Sequence, residues 1–272
     1  MYEKFYNLRE NPFNVTADPA FFFSSARHTE ALSHLVYGIK ERKGIIVVTG
    51  EIGTGKTTLC RAILNTLDQN TKTAIILNPS FSEIQLLQII LDDFDIKTEA
   101  RNKLTLVKAL NKFLLEESGK GNNVVIIIDE AQNLKVSQLE QIRLLSNLET
   151  EKAKLLQIIL VGQPELIDKL KLPSLRQLYQ RVSVRYHLLP LEKTDLDSYV
   201  QHRLTVASSN GKSKHKAHFT PKALETIYTH SQGTPRLINI LCDRALLAGF
   251  VSGTFTIDEA IIHKCSRETG IR

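Results

Sequence analysis

Cysteine is scarce in this chain: Cys60, Cys242 and Cys265 are the only three among 272 residues. An odd number in apolar, helix-like contexts and without metal-ligand spacing excludes a disulfide framework and a cysteine metal centre, leaving reduced core thiols. Long apolar runs are also missing. No stretch of 18 apolar residues occurs, so no segment reads as a membrane-spanning helix. The opening Met1-Tyr2-Glu3-Lys4-Phe5 has neither the basic nor the apolar region of a signal peptide, which predicts a soluble, intracellular chain. Charge of a single sign is absent as well: the net charge is +6, but acids and bases are interspersed. That balance permits nucleic acid or anionic lipid as a partner and selects neither. With 42% hydrophobic residues, the chain can bury a sizeable core and is not disordered.

The most informative residues are Gly50 to Thr57, G-E-I-G-T-G-K-T, which complete the pattern G-x-x-x-x-G-K-[ST] directly after the apolar run Ile45-Ile46-Val47-Val48-Thr49. The glycines let the backbone curl around a ligand, and a helix expected to begin near Lys56 adds a partially positive end, so a polyphosphate meets preorganised donors. Gly50, Glu51, Ile52, Gly53, Thr54, Gly55, Lys56 and Thr57 are therefore the predicted nucleotide-binding residues, with Thr58 beside them packing or capping. Lys56 is expected on the β- and γ-phosphates and the Thr57 hydroxyl on Mg²⁺. A second site follows the β-branched run Val124-Val125-Ile126-Ile127-Ile128, which reads as a central parallel strand. At its end stand Asp129 and Glu130. Ligands collect at the carboxyl ends of strands in open α/β sheets, so Asp129 is expected as a partner of the Mg²⁺ and Glu130 as the base that activates water. ATP with Mg²⁺, and its hydrolysis, is the chemistry these two sites predict together.

Strands are expected at 45–50, 73–78, 124–129, 155–162 and 182–188, separated by helical spacing over 59–67, 84–94, 104–115 and 139–148. This alternation implies crossover helices, a five-stranded parallel sheet and an αβα sandwich. Past Pro190 only helical patterns remain, at 196–204, 223–230, 237–250 and from near Thr256, which predicts a small α-helical domain. The domains expected are thus 1–190 and 191–272. Ser208 to Lys216 is polar, glycine-containing and basic, an exposed loop and the one concentrated positive patch.

Further strings resemble a known group. The phosphate loop, the Asp129-Glu130 strand end, Val161-Gly162-Gln163-Pro164-Glu165-Leu166 and Gly233-Thr234-Pro235-Arg236 together look like the AAA+ ATPases, whose α-helical part is a lid. Phe5-Tyr6-x-Leu8-x-Glu10-x-Pro12-Phe13, Ser25-x-x-His28-x-Glu30-Ala31-Leu32 and Leu175-Arg176-Gln177-Leu178-x-Gln180-Arg181-Val182 resemble the general secretion pathway protein A family, and the likeness spans essentially the whole chain.

The resemblance implies roles that spacing does not. Gln163 corresponds to the γ-phosphate sensor at the end of the strand after the D-E strand. Arg176 and Arg181 lie where a trans-acting arginine finger sits, a group able to accelerate phosphoryl transfer by about 10³ or more. Arg236 resembles the second sensor of the lid. Asn11-Pro12-Phe13 and His28 resemble the segment folding over the adenine, with a core aromatic and a helix-capping histidine as the other readings. Asn78 matches the polar residue that restrains the catalytic glutamate, or else forms an Asn-Pro turn.

The expected protein is a homo-oligomeric ATPase that remodels or assembles a protein complex in secretion or the cell envelope. Two other readings stand beside it: a DNA-associated ATPase resembling transposition regulators, and a nucleotide switch without turnover. Many relatives continue past the lid into a transmembrane helix and a peptidoglycan-binding region. These 272 residues end before either, which predicts a soluble relative or a truncated form. The expected location is cytoplasmic, with association to the inner face of the membrane through a partner or a further C-terminal segment.

Overall fold

The computed structural model describes residues 1–79, 81–99, 101–151, 153–209 and 216–271. Most of the basic loop singled out in the sequence, 210–215, lies outside the described residues. The chain divides into two compact units: Thr29–Ile52 with Leu59–Leu188, and Met1–His28 with Gly53–Thr58 and Leu189–Arg272.

The first unit is built on a sheet. In chain order its elements are α1 (Ala26–Lys40), β1 (Ile45–Gly50), α2 (Lys56–Leu64), β2 (Thr71–Ile76), α3 (Glu83–Asp93), α4 (Lys103–Gly119), β3 (Asn123–Ile128), α5 (Val136–Leu145), β4 (Gln157–Gly162), α6 (Glu165–Leu170), α7 (Arg176–Gln180) and β5 (Val182–Leu188). Both α1 and α2 begin on segments assigned to the other unit. The five strands run in the order β2-β3-β4-β1-β5, and each pairing is parallel. The αβα sandwich with a five-stranded parallel sheet is therefore as expected.

Parallel strands need helical crossovers, and those crossovers cover both sheet faces, so the inner strands are apolar but for Thr49, Asn123 and Gln157. All six residues of β1 and all six of β4 are buried. Alternate residues take opposite faces. Ile45, Val47, Val124, Ile126, Ile128, Ile158 and Leu160 share one core with Leu86, Leu87, Ile90 and Leu91 of α3, Leu106, Leu110 and Leu114 of α4, and Leu139, Ile142 and Leu145 of α5. At Gly38, α1 approaches the sheet so closely that a Cβ would collide with Ile46. Local caps set the helix starts. Ser82 and Gln85 form a reciprocal capping box on α3, and the Asn102 side chain accepts from Thr105 N–H on α4.

The second unit contains α8 (Leu196–Ala207), β6 (His218–Phe219), α9 (Pro221–Ser231), α10 (Pro235–Val251), β7 (Thr256–Ile257) and α11 (Glu259–Thr269). Thr220 caps α9 ahead of Pro221, as its sequence suggests. An entirely helical reading needs one correction: His218–Phe219 pair in parallel with Thr256–Ile257, and the helix start sought near Thr256 belongs to Asp258, whose side chain accepts from Ile261 N–H. Two-residue strands are too short to show alternation, which is why the pattern did not betray them.

The N-terminal segment belongs to this second core. Tyr2, Tyr6, Leu8, Phe13 and Phe21 pack with residues of α8 to α11, and Phe5 stacks on Phe255 at 4.4 Å between ring centroids. Cys242 and Cys265 are buried here and Cys60 in α2, none in a disulfide, as expected of core thiols.

One charged residue ties the segment down. Arg203 of α8 is 6% exposed; its Nε donates to Pro12 O at 2.6 Å, Nη2 to Asn14 O at 2.9 Å and Nη1 to the Tyr199 hydroxyl at 3.1 Å, with the guanidinium over the Phe21 ring. Substituting Arg203→Met keeps much of the aliphatic stem but strands the two carbonyls. A loss of about 2–4 kcal/mol is expected, since hydrogen bonds to charged groups and orphaned acceptors each weigh about 1.5–3 kcal/mol. Urea unfolding checks it: the midpoint should fall with the slope unchanged.

Candidate functional site

Within the helical unit, Gly53–Thr58 form the second half of the phosphate loop, and α2 begins at Lys56 as the motif requires. Gly53 and Gly55 have φ of +83° and +98°, conformations that L side chains rarely adopt, so two of the motif's glycines are demanded by the backbone itself. Space demands them too. A Cβ on Gly53 would lie 2.6 Å from Arg236 Cβ, and one on Gly55 would lie 3.1 Å from His28 Nε2.

His28 and Arg236 hold this part of the loop through its carbonyls. His28 Nε2 lies 3.1 Å from Thr54 O, and its Nδ1 lies 2.8 Å from Ser25 Oγ. A carbonyl only accepts, so the ring carries its proton on Nε2 and receives the Ser25 hydroxyl at Nδ1. Burial pushes the His28 pKa below the ordinary histidine value, outweighing the Thr54 carbonyl and the Asp195 charge, which pull upward. The Arg236 N–H donates to Gly53 O at 3.2 Å from the first turn of α10. Gly233 makes that turn possible: its φ is +74°, a Cβ there would collide with Leu191 O, and its own carbonyl accepts from Leu191 N–H at 2.9 Å. The Arg236 residue is exposed, whereas Thr54 and Lys56 are buried.

Pro12 and Phe13 sit in the same unit. Phe13 is 2% exposed and meets Phe219 edge-on, so its ring is a core aromatic, while Asn11 Oδ1 accepts from Phe13 N–H at 2.8 Å. Pro12 offers its carbonyl to Arg203.

In the sheet unit the carboxyl edge carries six of the remaining predicted residues. Gly50, Glu51 and Ile52 leave β1, Asp129 and Glu130 leave β3, and Gln163 follows β4. Parallel pairing puts these three strand ends on one side of the sheet. Asp129 is 2% exposed, and its Oδ1 accepts from Glu130 N–H at 2.9 Å. Glu130 stands in the left-handed region, φ 52° and ψ 36°, unusual for a residue with a side chain. Arg176, at the start of α7, and Arg181, just before β5, are both exposed. Asn78, two residues beyond β2, is exposed as well.

The motif reading passed over two contributors. Gln132 Nε2 donates to Glu130 Oε2 at 2.5 Å, and its Oε1 accepts from Gln163 N–H at 3.0 Å. Gln132 thus holds the Glu130 carboxylate. Ser25 fixes the His28 tautomer. The only sequence signals are a glutamine two residues after the Asp-Glu pair and a serine three before the histidine, patterns too common to stand out.

A left-handed glycine pair before a helix N-terminus fits a triphosphate, and the Thr57 hydroxyl in one unit and the Asp129 carboxylate in the other are each oxygen donors of the kind Mg²⁺ takes. These features are those of a phosphate loop, and residues 39–170 match the family described as AAA domain. The chain resembles general secretion pathway protein A along its whole length. It is 46% identical over 274 aligned residues to General secretion pathway protein A of Aeromonas hydrophila, covering all of this chain. The chain spans about half, 49%, of that relative's length. Among solved structures it resembles Cdc6p from Pyrobaculum aerophilum with a TM-score of 0.70 and 17% identity, covering 92% of this chain and 70% of that one. It also resembles the Aeropyrum pernix ORC2 protein, TM-score 0.64 and 18% identity over 88% and 66% of the two chains. The Thermotoga maritima RuvB branch migration motor gives 0.56 and 18% over 90% and 70%. At these identities the likeness speaks for the fold alone.

The His28 contact predicts a pH dependence. A histidine whose folded pKa is depressed contributes stability that is fully present above the unfolded value of about 6.5 and is lost as the pH falls below it. Wild-type protein should therefore have a lower urea midpoint near pH 5.5 than near pH 7.5, with about 6.5 as the turning point, and His28→Gln should narrow that gap. Some gap should persist, because burial also depresses His202.

Proposed function

We propose that this protein binds ATP with Mg²⁺, hydrolyses it, and uses the cycle to remodel or assemble a protein complex of the secretion machinery or cell envelope. The observation that carries the reading is Glu130: a carboxylate at a strand end, on a left-handed backbone, held by a side chain that also holds the neighbouring strand end. Backbone in a sparsely populated region persists where surrounding structure over-determines it, and such positions cluster at active sites.

Under this reading Lys56 lies on the β- and γ-phosphates and Gly50 to Thr58 surround them. Thr57 and Asp129 would hold the Mg²⁺, which would supply neutralisation of the charge on the phosphate oxygens. Glu130 takes a proton from the attacking water, Gln163 senses the γ-phosphate, and Arg236 senses it from the first turn of α10. Arg176 or Arg181 completes a neighbouring subunit's site in a homo-oligomer. Pro12, Phe13 and His28 lie on the adenine side: the Phe13 ring is committed to the core, so the segment would serve the base through its backbone. The division into a nucleotide-binding core over 1–190 and a helical lid over 191–272 is part of the same proposal, as is action at the cytoplasmic side of the inner membrane. Among the described residues no helix is long and apolar enough to cross a membrane.

The net charge of +6 permits one second reading, an ATPase stimulated by duplex DNA. Steady-state ATPase rate per subunit against protein concentration, with and without duplex DNA, separates the two. Protein remodelling predicts a rate that climbs with concentration and ignores DNA; stimulation only by DNA, weakening steeply with salt, supports the second reading. Glu130→Gln should lower the rate by about 10²–10⁴, the usual weight of general-base catalysis, while ATP still binds. A wild-type rate no higher than that of Glu130→Gln under every condition would leave a nucleotide switch.

A further inference from the structure

Glu130 Oε2 and the Gln163 N–H are joined through one side chain. The Gln132 amide donates to the carboxylate at 2.5 Å with its nitrogen and accepts from the Gln163 backbone at 3.0 Å with its oxygen. Both ends of a primary amide are used, each in the only sense its chemistry allows. The residue has little freedom to turn away. It lies in the single 3-10 turn Ala131–Asn133 that follows Glu130, and Lys169 Nζ donates to its carbonyl. Gly162 lies against its amide: a Cβ there would be 2.7 Å from Gln132 Oε1 and 3.2 Å from Gln132 N. Gly162 is thus a glycine because the glutamine occupies the space a side chain would take.

We infer that Gln132 is a positioning residue that links the γ-phosphate sensor strand to the catalytic base. The inference rests on the hydrolytic reading above and deepens it. A carboxylate that must take a proton from water needs one oxygen fixed and the other directed, and a displacement of about 1 Å can cost about 10² in rate. The amide nitrogen fixes Oε2. Because the same amide's oxygen is bound to the backbone of Gln163, any shift of the β4 end when Gln163 meets a γ-phosphate is carried to Glu130 over two hydrogen bonds. Gln132 touches neither phosphate nor water in this scheme, so its substitution should alter turnover and leave nucleotide binding intact.

The test compares wild type, Gln132→Leu, Gln132→Asn and Glu130→Gln as full chains. Gln132→Leu removes both hydrogen bonds at nearly constant volume, while Gln132→Asn keeps the amide but falls one methylene short of spanning both partners. Each should lower kcat by about 10-fold or more, as misplacement of a base does, with KM and ADP affinity within about 3-fold of wild type, less than 1 kcal/mol. Affinity for ADP with aluminium fluoride, which mimics the transferring phosphoryl group, should fall together with kcat. A damaged fold would weaken all nucleotides alike, and thermal unfolding with ADP bound registers it directly. In the double variant Gln132→Leu/Gln163→Ala the loss should be smaller than the product of the single losses, since both interrupt one link.

Wild-type kcat retained in Gln132→Leu, or a rate raised above it, would overturn the positioning role. So would parallel weakening of ADP and ADP–aluminium fluoride. Failure of the hydrolytic reading looks different, because the wild type itself would then show no turnover that Glu130→Gln removes.

Discussion

A loop that turns its N–H groups toward a polyphosphate must turn carbonyls away from it, and those carbonyls need donors. Buried main-chain acceptors left unpaired cost about 1–3 kcal/mol each. Here His28 serves Thr54 O and the Arg236 N–H serves Gly53 O. Much of the helical unit follows from those two bonds. Ser25 is needed to leave the His28 proton on Nε2, Gly233 to let the chain turn past Leu191 into α10, and Pro235 to open that helix without wasting a donor. Gly53 and Gly55 have positive φ, and the clamping residues lie where any Cβ would be. The residues beside the motif are therefore as constrained as the motif.

Much of this was legible in the sequence, for physical reasons that differ from part to part. The buried strands announce themselves because a parallel sheet with both faces covered is built almost wholly of apolar residues. Thus β1 and β5 begin and end where the run of residues says, while β2 and β3 lie two and one positions earlier and β4 begins two positions later. Leu155 and Leu156 are buried yet precede β4, because burial alone does not make a strand. The phosphate loop and Asp129-Glu130 were legible since their chemistry is local to a few consecutive residues. Gln132 and Ser25 were not, since their meaning depends on partners placed by the fold, 31 residues on for the Gln132 bond to Gln163. Arg203 was hidden for a stronger reason: its partners Pro12 and Asn14 are 191 and 189 residues away, and nothing in a helical pattern marks an arginine as buried.

The N-terminal aromatics show how one string supports two physical readings. Asn11-Pro12-Phe13 resembles a segment that folds over a nucleotide base, yet aromatic side chains carry enough apolar surface to be drawn into any nearby core. Phe5 stacks on Phe255 and Phe13 meets Phe219. The Tyr6 hydroxyl finds Leu246 O at 3.1 Å, and burial raises its pKa to about 12. Phe13 and Tyr6 are buried, Phe5 is partly buried against the same core, and the Tyr6 hydroxyl is satisfied, which is the signature of a structural anchor. The same segment then holds its carbonyls at fixed positions through Arg203, so packing by the rings and placement of the backbone are two results of one arrangement.

Energetics rank the features around Glu130. A non-glycine residue in the left-handed region costs about 1–2 kcal/mol, and nothing in the packing of β3 asks for it, since the strand ends at Ile128. Two bonds offset that cost: the Asp129 carboxylate accepts the Glu130 N–H, and the Gln132 amide donates to the Glu130 carboxylate. Hydrogen bonds to charged groups weigh about 1.5–3 kcal/mol each, enough to hold the turn with a modest surplus. Both bonds are accepted by side chains assigned in the proposed reaction to metal and to water. The chemistry and the local backbone thus draw on the same two side chains, and a sequence that changed either to one without an acceptor oxygen would unsettle the turn as well as the reaction.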